Sequence, residues 1–214
     1  MRNERDNIEG VLGAVLAGGG SRRMGYDKAL IEIEGRTLLQ RAVETLKEVF
    51  EEVAVVAPVR QRYTELNLDV EPDLWPALGP LGGLHTALIR GAGRPVFLLA
   101  CDMPFVTGDL VRWIVANRVA VGAGDSQPLK PAVRVARDRH GAQPLCGLYS
   151  SACLPFVKRA LRDGRLSAQE LLAELEAEIL DLDPQAAWYD RRLLANINAP
   201  QDIRELSAAL GSKS

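Results

Sequence analysis

The stretch that most constrains this chain begins at Val11. Val11-Leu12-Gly13-Ala14-Val15-Leu16 reads as a buried strand and runs straight into Ala17-Gly18-Gly19-Gly20. A strand that is apolar throughout belongs in a sheet covered on both faces. Three successive glycines at its carboxyl end remove side-chain obstruction, so backbone N–H groups can approach a ligand. A concavity of such groups favours an anion. Arg22, Arg23 and Lys28 add positive charge beside it. In an open α/β sheet, ligands lie outside the carboxyl ends of the strands, and this loop leaves one. The alternative is a plain surface turn with solvated arginines. The spacing of Arg23, Gly25 and Lys28 argues against that.

The rest of the chain supports an α/β reading. Leu38, Leu39, Ala42, Val43, Leu46 and Val49 fall at helical spacing behind Thr37, a good N-cap. Apolar runs at 53–57, 68–70 and 95–100 predict further strands, with helices at about 79–90 and 107–117. Strands alternating with helices predict a mostly parallel central sheet with helices on both faces. Residues 119–130 read as a surface loop. Strands are expected over 131–136, 145–149 and 179–182, and helices from Leu154, from Ser167 and over 200–210. No repeat or linker interrupts the sequence, so one domain over 1–214 is expected.

Two common phosphate loops are excluded. Gly20 and Gly25 have Walker-type spacing, but Tyr26 stands where lysine must follow. Gly18-x-Gly20 is followed by Arg23 where a dinucleotide fingerprint needs glycine. The loop, Leu-Ala-Gly-Gly-x-Ser-x-Arg-Met-Gly-x-Asp-Lys, instead resembles the signature of molybdenum cofactor guanylyltransferases. These belong to the wider nucleotidyltransferases of Rossmann-like, three-layer α/β fold. The resemblance implies that Leu16, Ala17, Gly18 and Gly19 bind nucleotide, and that Arg23 and Lys28 are catalytic groups at the phosphates. A lysine point charge suits that place, because it offsets charge that grows in the transition state.

The other motifs follow in the order the resemblance requires. Asp102 ends the strand 95–100 within Cys101-Asp102-Met103-Pro104. Alone it reads as a turn aspartate. The similar family segment makes it the catalytic magnesium ligand, and Mg2+ the expected cofactor. Cys101 then reads as buried filler. Gly79-Pro80-Leu81-Gly82-Gly83 opens a helix and resembles a family segment near guanine and ribose, with Gly79, Gly82 and the earlier Asp73 at the nucleotide. Asn196 and Asn198, two residues apart in a strand-like run, would share one face. With Gln143 they resemble family positions facing the second substrate, molybdopterin. Asn198 also stands where it could cap the last helix. One departure is Ala57-Pro58, where the family often has a nucleotide-contacting asparagine.

Composition narrows the rest. Twenty-six basic against 28 acidic residues leave a net charge of −2, so no bulk attraction to nucleic acid or an anionic membrane is expected. No membrane span or signal peptide is read, and three cysteines without a Cys-x-x-Cys suit a reducing cytoplasm. The expected reaction is transfer of GMP from GTP to the phosphate of molybdopterin, with pyrophosphate released. The resemblance also implies transient contacts with other cofactor-maturation proteins. The alternatives are the same chemistry with CTP, a sugar-phosphate nucleotidyltransferase, or a nucleotide-binding scaffold without catalysis.

Overall fold

In the computed structural model, residues 7–18, 27–116, 133–139, 141–198 and 201–203 are described. The expected loop 119–130 and most of the expected last helix lie outside them, although residues 201–203 are helical. The elements run β1 (Ile8–Leu16), a small hairpin of β2 (Glu32–Ile33) and β3 (Arg36–Thr37), α1 (Leu38–Lys47), β4 (Phe50–Ala57), β5 (Val70–Pro72) and α2 (Pro80–Arg90). There follow β6 (Val96–Ala100), α3 (Gly108–Ala116), β7 (Val133–Asp138), β8 (Gly141–Tyr149), α4 (Leu154–Arg162), α5 (Ala168–Glu174) and β9 (Glu178–Asp181). Thr37 caps α1 through a full capping box with Gln40.

The seven-stranded sheet has the order β5-β4-β1-β6-β8-β7-β9. Its pairings are parallel except those made by β8, which runs against β6 and β7. The expectation of a mostly parallel sheet therefore holds. Alternation along β1 decides the layers. Val15 faces a core built with Leu39, Val43 and Leu46 of α1 and Leu110, Val111 and Ile114 of α3. Leu12 and Ala14 face the opposite core, with Leu84 and Leu88 of α2, Val157 and Leu161 of α4, and Leu171 and Leu172 of α5. Each face is thus sealed by helices, which is why β1 can be apolar on both sides. Among the described residues no helix is long and apolar enough to cross a membrane.

Several details differ from the sequence reading, among them the β2–β3 hairpin, which was not expected. The strand expected at 145–149 starts at Gly141, because it pairs along its length with β7. A 3-10 stretch, Arg60–Leu66, fills the connection between β4 and β5, where no element was expected. The run 194–198 is not a strand, yet Ile197 is buried while Asn196 and Asn198 are exposed. The alternation came from a side chain plugging a small third core with Ile33 and Leu38, not from sheet pairing.

From β1 the chain builds outward through β4 to β5, then returns to lay β6 on the other side of β1. That reversal puts a crevice at the carboxyl ends of β1 and β6, where open α/β sheets place their ligands.

Candidate functional site

The glycine loop and Asp102 leave the two strands that flank this crevice. Leu16 stands opposite Ala100 in the ladder, and the Leu16 carbonyl accepts the Cys101 N–H at 3.1 Å. Ala17 donates its N–H to the Val56 carbonyl at 2.9 Å, which locks the strand end before the turn. Gly18 adopts φ +84°, and a Cβ there would lie 2.7 Å from Pro58 Cδ. No other residue fits that backbone and that approach. Pro58 therefore acts by packing on the loop's first glycine; a proline side chain cannot supply the polar contact that an asparagine would. Gly19 and Arg23 lie outside the described residues.

Lys28 begins a 3-10 turn, Lys28–Leu30, capped by the Asp27 carboxylate, which accepts the Ala29 N–H at 3.1 Å. Its ammonium donates to the Ile197 carbonyl at 2.9 Å and to Asn198 Oδ1 at 3.2 Å. The Ile197 N–H donates to the Asp102 carbonyl at 2.8 Å. One peptide segment near the carboxyl end thus ties the lysine and the aspartate together, and the buried Ile197 side chain anchors that segment. The Asn198 carboxamide oxygen is thus a direct partner of the Lys28 ammonium. The Asn198 N–H donates to the Asp202 carboxylate at 2.6 Å.

Asp102 holds a partly buried carboxylate. Burial raises its pKa above the ordinary aspartate value, while the positive charge of Lys28 and its own backbone N–H pull the other way. Neighbouring Cys101 is buried, and burial, with the charges of Asp102 and Asp27, pushes its thiol far up. It is a neutral filler, as expected. Among the described residues no group of three or more histidines, cysteines and acids could cage a metal.

The other side of the crevice is built around Asp73, just past β5. Its Oδ1 accepts the Trp75 N–H at 2.9 Å and is paired with the Thr86 hydroxyl at 3.0 Å. Thr86 Oγ1 in turn accepts the Leu74 N–H at 2.9 Å. Gly79 stands at the N-cap of α2 with Pro80 in the first turn. A Cβ on Gly82 would come within 2.6 Å of the Trp75 carbonyl, so only glycine lets the loop 73–79 lie flat on α2. Gln143 is near the start of β8. Because Leu99 pairs with Cys146 in antiparallel register, that start lies at the same sheet edge as Asp102. The structure thus brings together Leu16, Ala17, Gly18, Lys28, Asp102 and Asn198. It leaves Asn196 exposed and Gln143 without a hydrogen bond to any of them. Sequence reasoning missed Ile197, Thr86 and Tyr63. The spacing around Asn-Ile-Asn marks Ile197 as buried; nothing marks the other two.

Gly18, a lysine and a partly buried aspartate at the reversal of a mostly parallel sheet mark an α/β protein with a ligand site at the carboxyl ends of its strands. Comparison with known proteins gives the particular family. The family described as "MobA-like NTP transferase domain" matches residues 13–179. The chain is 33% identical to a probable molybdenum cofactor guanylyltransferase of Pelotomaculum thermopropionicum, covering 89% of each chain. It is 30% identical to the molybdenum cofactor guanylyltransferase of Desulfosudis oleivorans, over 95% of this chain and 97% of that one. The molybdopterin-guanine dinucleotide biosynthesis protein A of Archaeoglobus fulgidus shares its fold, with a TM-score of 0.74 at 21% identity over 94% of this chain and 99% of that one. The chain belongs to the MobA-like nucleotidyltransferase family.

Proposed function

We propose that this protein transfers GMP from GTP to the terminal phosphate of molybdopterin and releases pyrophosphate. The observation that carries the reading is the bridge through Ile197. It holds the Lys28 ammonium and the Asp102 carbonyl at the mouth of the β1–β6 crevice. The names of the relatives supply the substrates.

The residues also fit a magnesium ion. Magnesium takes one or two carboxylates and completes its shell with phosphate oxygens and water, not with a protein cage. Asp102 is such a carboxylate, and a cation would relieve the burial that raises its pKa. We assign Asp102 as the ligand. When bound, the ion would polarise the α-phosphate and offset charge on the leaving pyrophosphate.

The chain's own groups do the rest. The N–H groups at the loop's start hold the triphosphate. Lys28 places its positive charge where negative charge develops, within a crevice that strengthens it. The nucleophile is the phosphate monoester of molybdopterin, already an anion, which attacks the α-phosphorus in line. No histidine base is required. On the base side, Asp73 Oδ1 is committed to its turn, which leaves Oδ2 to accept from guanine N1–H and N2–H. Asn196, Asn198 and Gln143 line the edge where molybdopterin approaches. None of the three cysteines forms a disulfide, which suits a cytoplasmic setting.

The test is pyrophosphate release with magnesium, molybdopterin and GTP, CTP or ATP in turn. Release with GTP alone supports the reading. Release with CTP overturns the base assignment, and silence with all three overturns the reaction.

A further inference from the structure

The stretch Arg60–Leu66, unexpected from sequence, carries Tyr63 into the interior, where it is 1% exposed. Its phenol donates to Asp27 Oδ2 at 2.7 Å. Asp27 Oδ1 meanwhile accepts the Ala29 N–H and closes the turn that begins with Lys28. The same phenol oxygen lies 3.7 Å from where a Cβ on Gly18 would sit. One buried hydroxyl therefore stands beside the point where the chain leaves β1 and beside the point where it returns as Asp27.

We propose that Tyr63 is a positioning residue for nucleotidyl transfer, acting through Asp27 to aim Lys28 at the phosphates. The Ala29 N–H holds Oδ1 and the Tyr63 phenol holds Oδ2, so both carboxylate oxygens are engaged. A second bond, charge-assisted and anchored in the core, fixes the carboxylate and with it the first residue of the turn. Lys28 already has its ammonium held by Ile197 and Asn198 from the far side. Tyr63 fixes the other end of that side chain, at its backbone. The lysine is then held at both ends, as a charge must be if it is to act without reorganising during reaction. The role is legible only in three dimensions, since residues 27 and 63 are brought together by β1, β4 and the stretch after it.

The inference rests on the proposed nucleotidyl transfer, so two readouts are needed. In steady state with magnesium, GTP and molybdopterin, Tyr63→Phe is expected to lower kcat about tenfold and to leave KM for GTP within about twofold. In a double-mutant cycle, Tyr63→Phe added to Asp27→Ala should cost nothing further, because the first acts through the second. Independently of any substrate, exchange of the Ala29 amide hydrogen, followed by NMR, should speed up several-fold in Tyr63→Phe while exchange in β1 stays unchanged. If the wild type makes no product from any nucleotide, the reaction has been misread. The amide exchange still decides Tyr63: faster exchange confined to the turn supports the clamp. An unchanged Ala29 rate, full kcat in Tyr63→Phe or losses that add in the cycle would each overturn it.

Discussion

Two aspartates follow two strands at the same edge of the sheet, and they are used oppositely. Asp73, past β5, has Oδ1 bonded to the Trp75 N–H and the Thr86 hydroxyl. Asp102, past β6, has no side-chain donor among the described residues; it has its own N–H and the nearby charge of Lys28. A carboxylate bonded within its own turn shapes a loop. One held in a crevice without donors is stabilised by whatever cation arrives. The same residue type, at the same kind of position, thus builds one wall of the crevice and in the other leaves a carboxylate without side-chain donors among the described residues.

The largest effect expected is that of Asp102→Asn. Activity should fall about 10³-fold, the scale for removing one main electrostatic stabiliser. Without divalent cations the variant should nonetheless unfold at a higher temperature than the wild type. Burial raises the Asp102 pKa, so at neutral pH its ionised form is held at a cost in the fold and at none in the unfolded chain. Protonation relieves that cost as pH falls through the raised folded value. The asparagine removes it at all pH. Thermal melts in a chelator check this, and a lower melting point for Asp102→Asn would erase the contrast with Asp73.

Next comes Ile197→Ala. Its side chain plugs the small core with Ile33 and Leu38, and its backbone bridges Lys28 to Asp102. Emptying such a site costs about 2 kcal/mol at the lower end of the range for buried aliphatics. The loss in kcat should be larger, about 10²-fold, since small misplacements in a site are expensive. Denaturant unfolding and steady-state kinetics on one preparation separate the two. A kcat loss no greater than that of a matched core variant such as Leu38→Ala would reduce Ile197 to packing.

On the Asp73 side the effect is smaller and of another kind. Thr86→Val keeps the shape and deletes the hydroxyl that bonds both Asp73 and the Leu74 N–H. The expected cost is about 1–2 kcal/mol of stability. KM for GTP should rise about fivefold with kcat nearly unchanged, the signature of a contact that serves binding and not transfer. A fall in kcat with constant KM would show that both sides of the crevice serve the chemistry.

The sequence carried the two sides unequally, for physical reasons. The Lys28–Asp102 side has parts that are local in sequence: an apolar strand, glycines after it, a lysine a few residues on, and an aspartate closing another apolar strand. The sheet followed from the same alternation, apart from the early start of β8, which needs its partner β7 to be defined. What joins the parts could not be read. Ile197 and Lys28 are 169 residues apart. Tyr63 meets Asp27 through a connection with no helical or strand periodicity. Thr86 looks like any small residue in a helix until Asp73 is placed over it. Asp73 itself showed the limit of the resemblance, which marked a nucleotide contact but not the turn that holds the carboxylate.

The smallest effect comes from the wall behind Asp73. His85 on α2 is 6% exposed, its Nδ1 has no hydrogen-bond partner among the described residues, and its ring meets Trp75 edge-on with centroids 5.9 Å apart. Burial lowers its pKa first, the charge of Lys158 adds to that, and Asp73 opposes both. A histidine that resists protonation in the fold but not in the unfolded chain stabilises fully above its unfolded value of about 6.5. That stability is lost as pH falls below it, because only the unfolded chain gains the proton. Between pH 7.5 and pH 5.5 the melting temperature of the wild type should therefore drop by about 2 °C more than that of His85→Phe, which keeps a ring against Trp75. Parallel curves would mean that His85 takes up its proton in place. The loop 73–79 would then rest on a charged residue, and the wall would share the electrostatic character so far confined to Asp102.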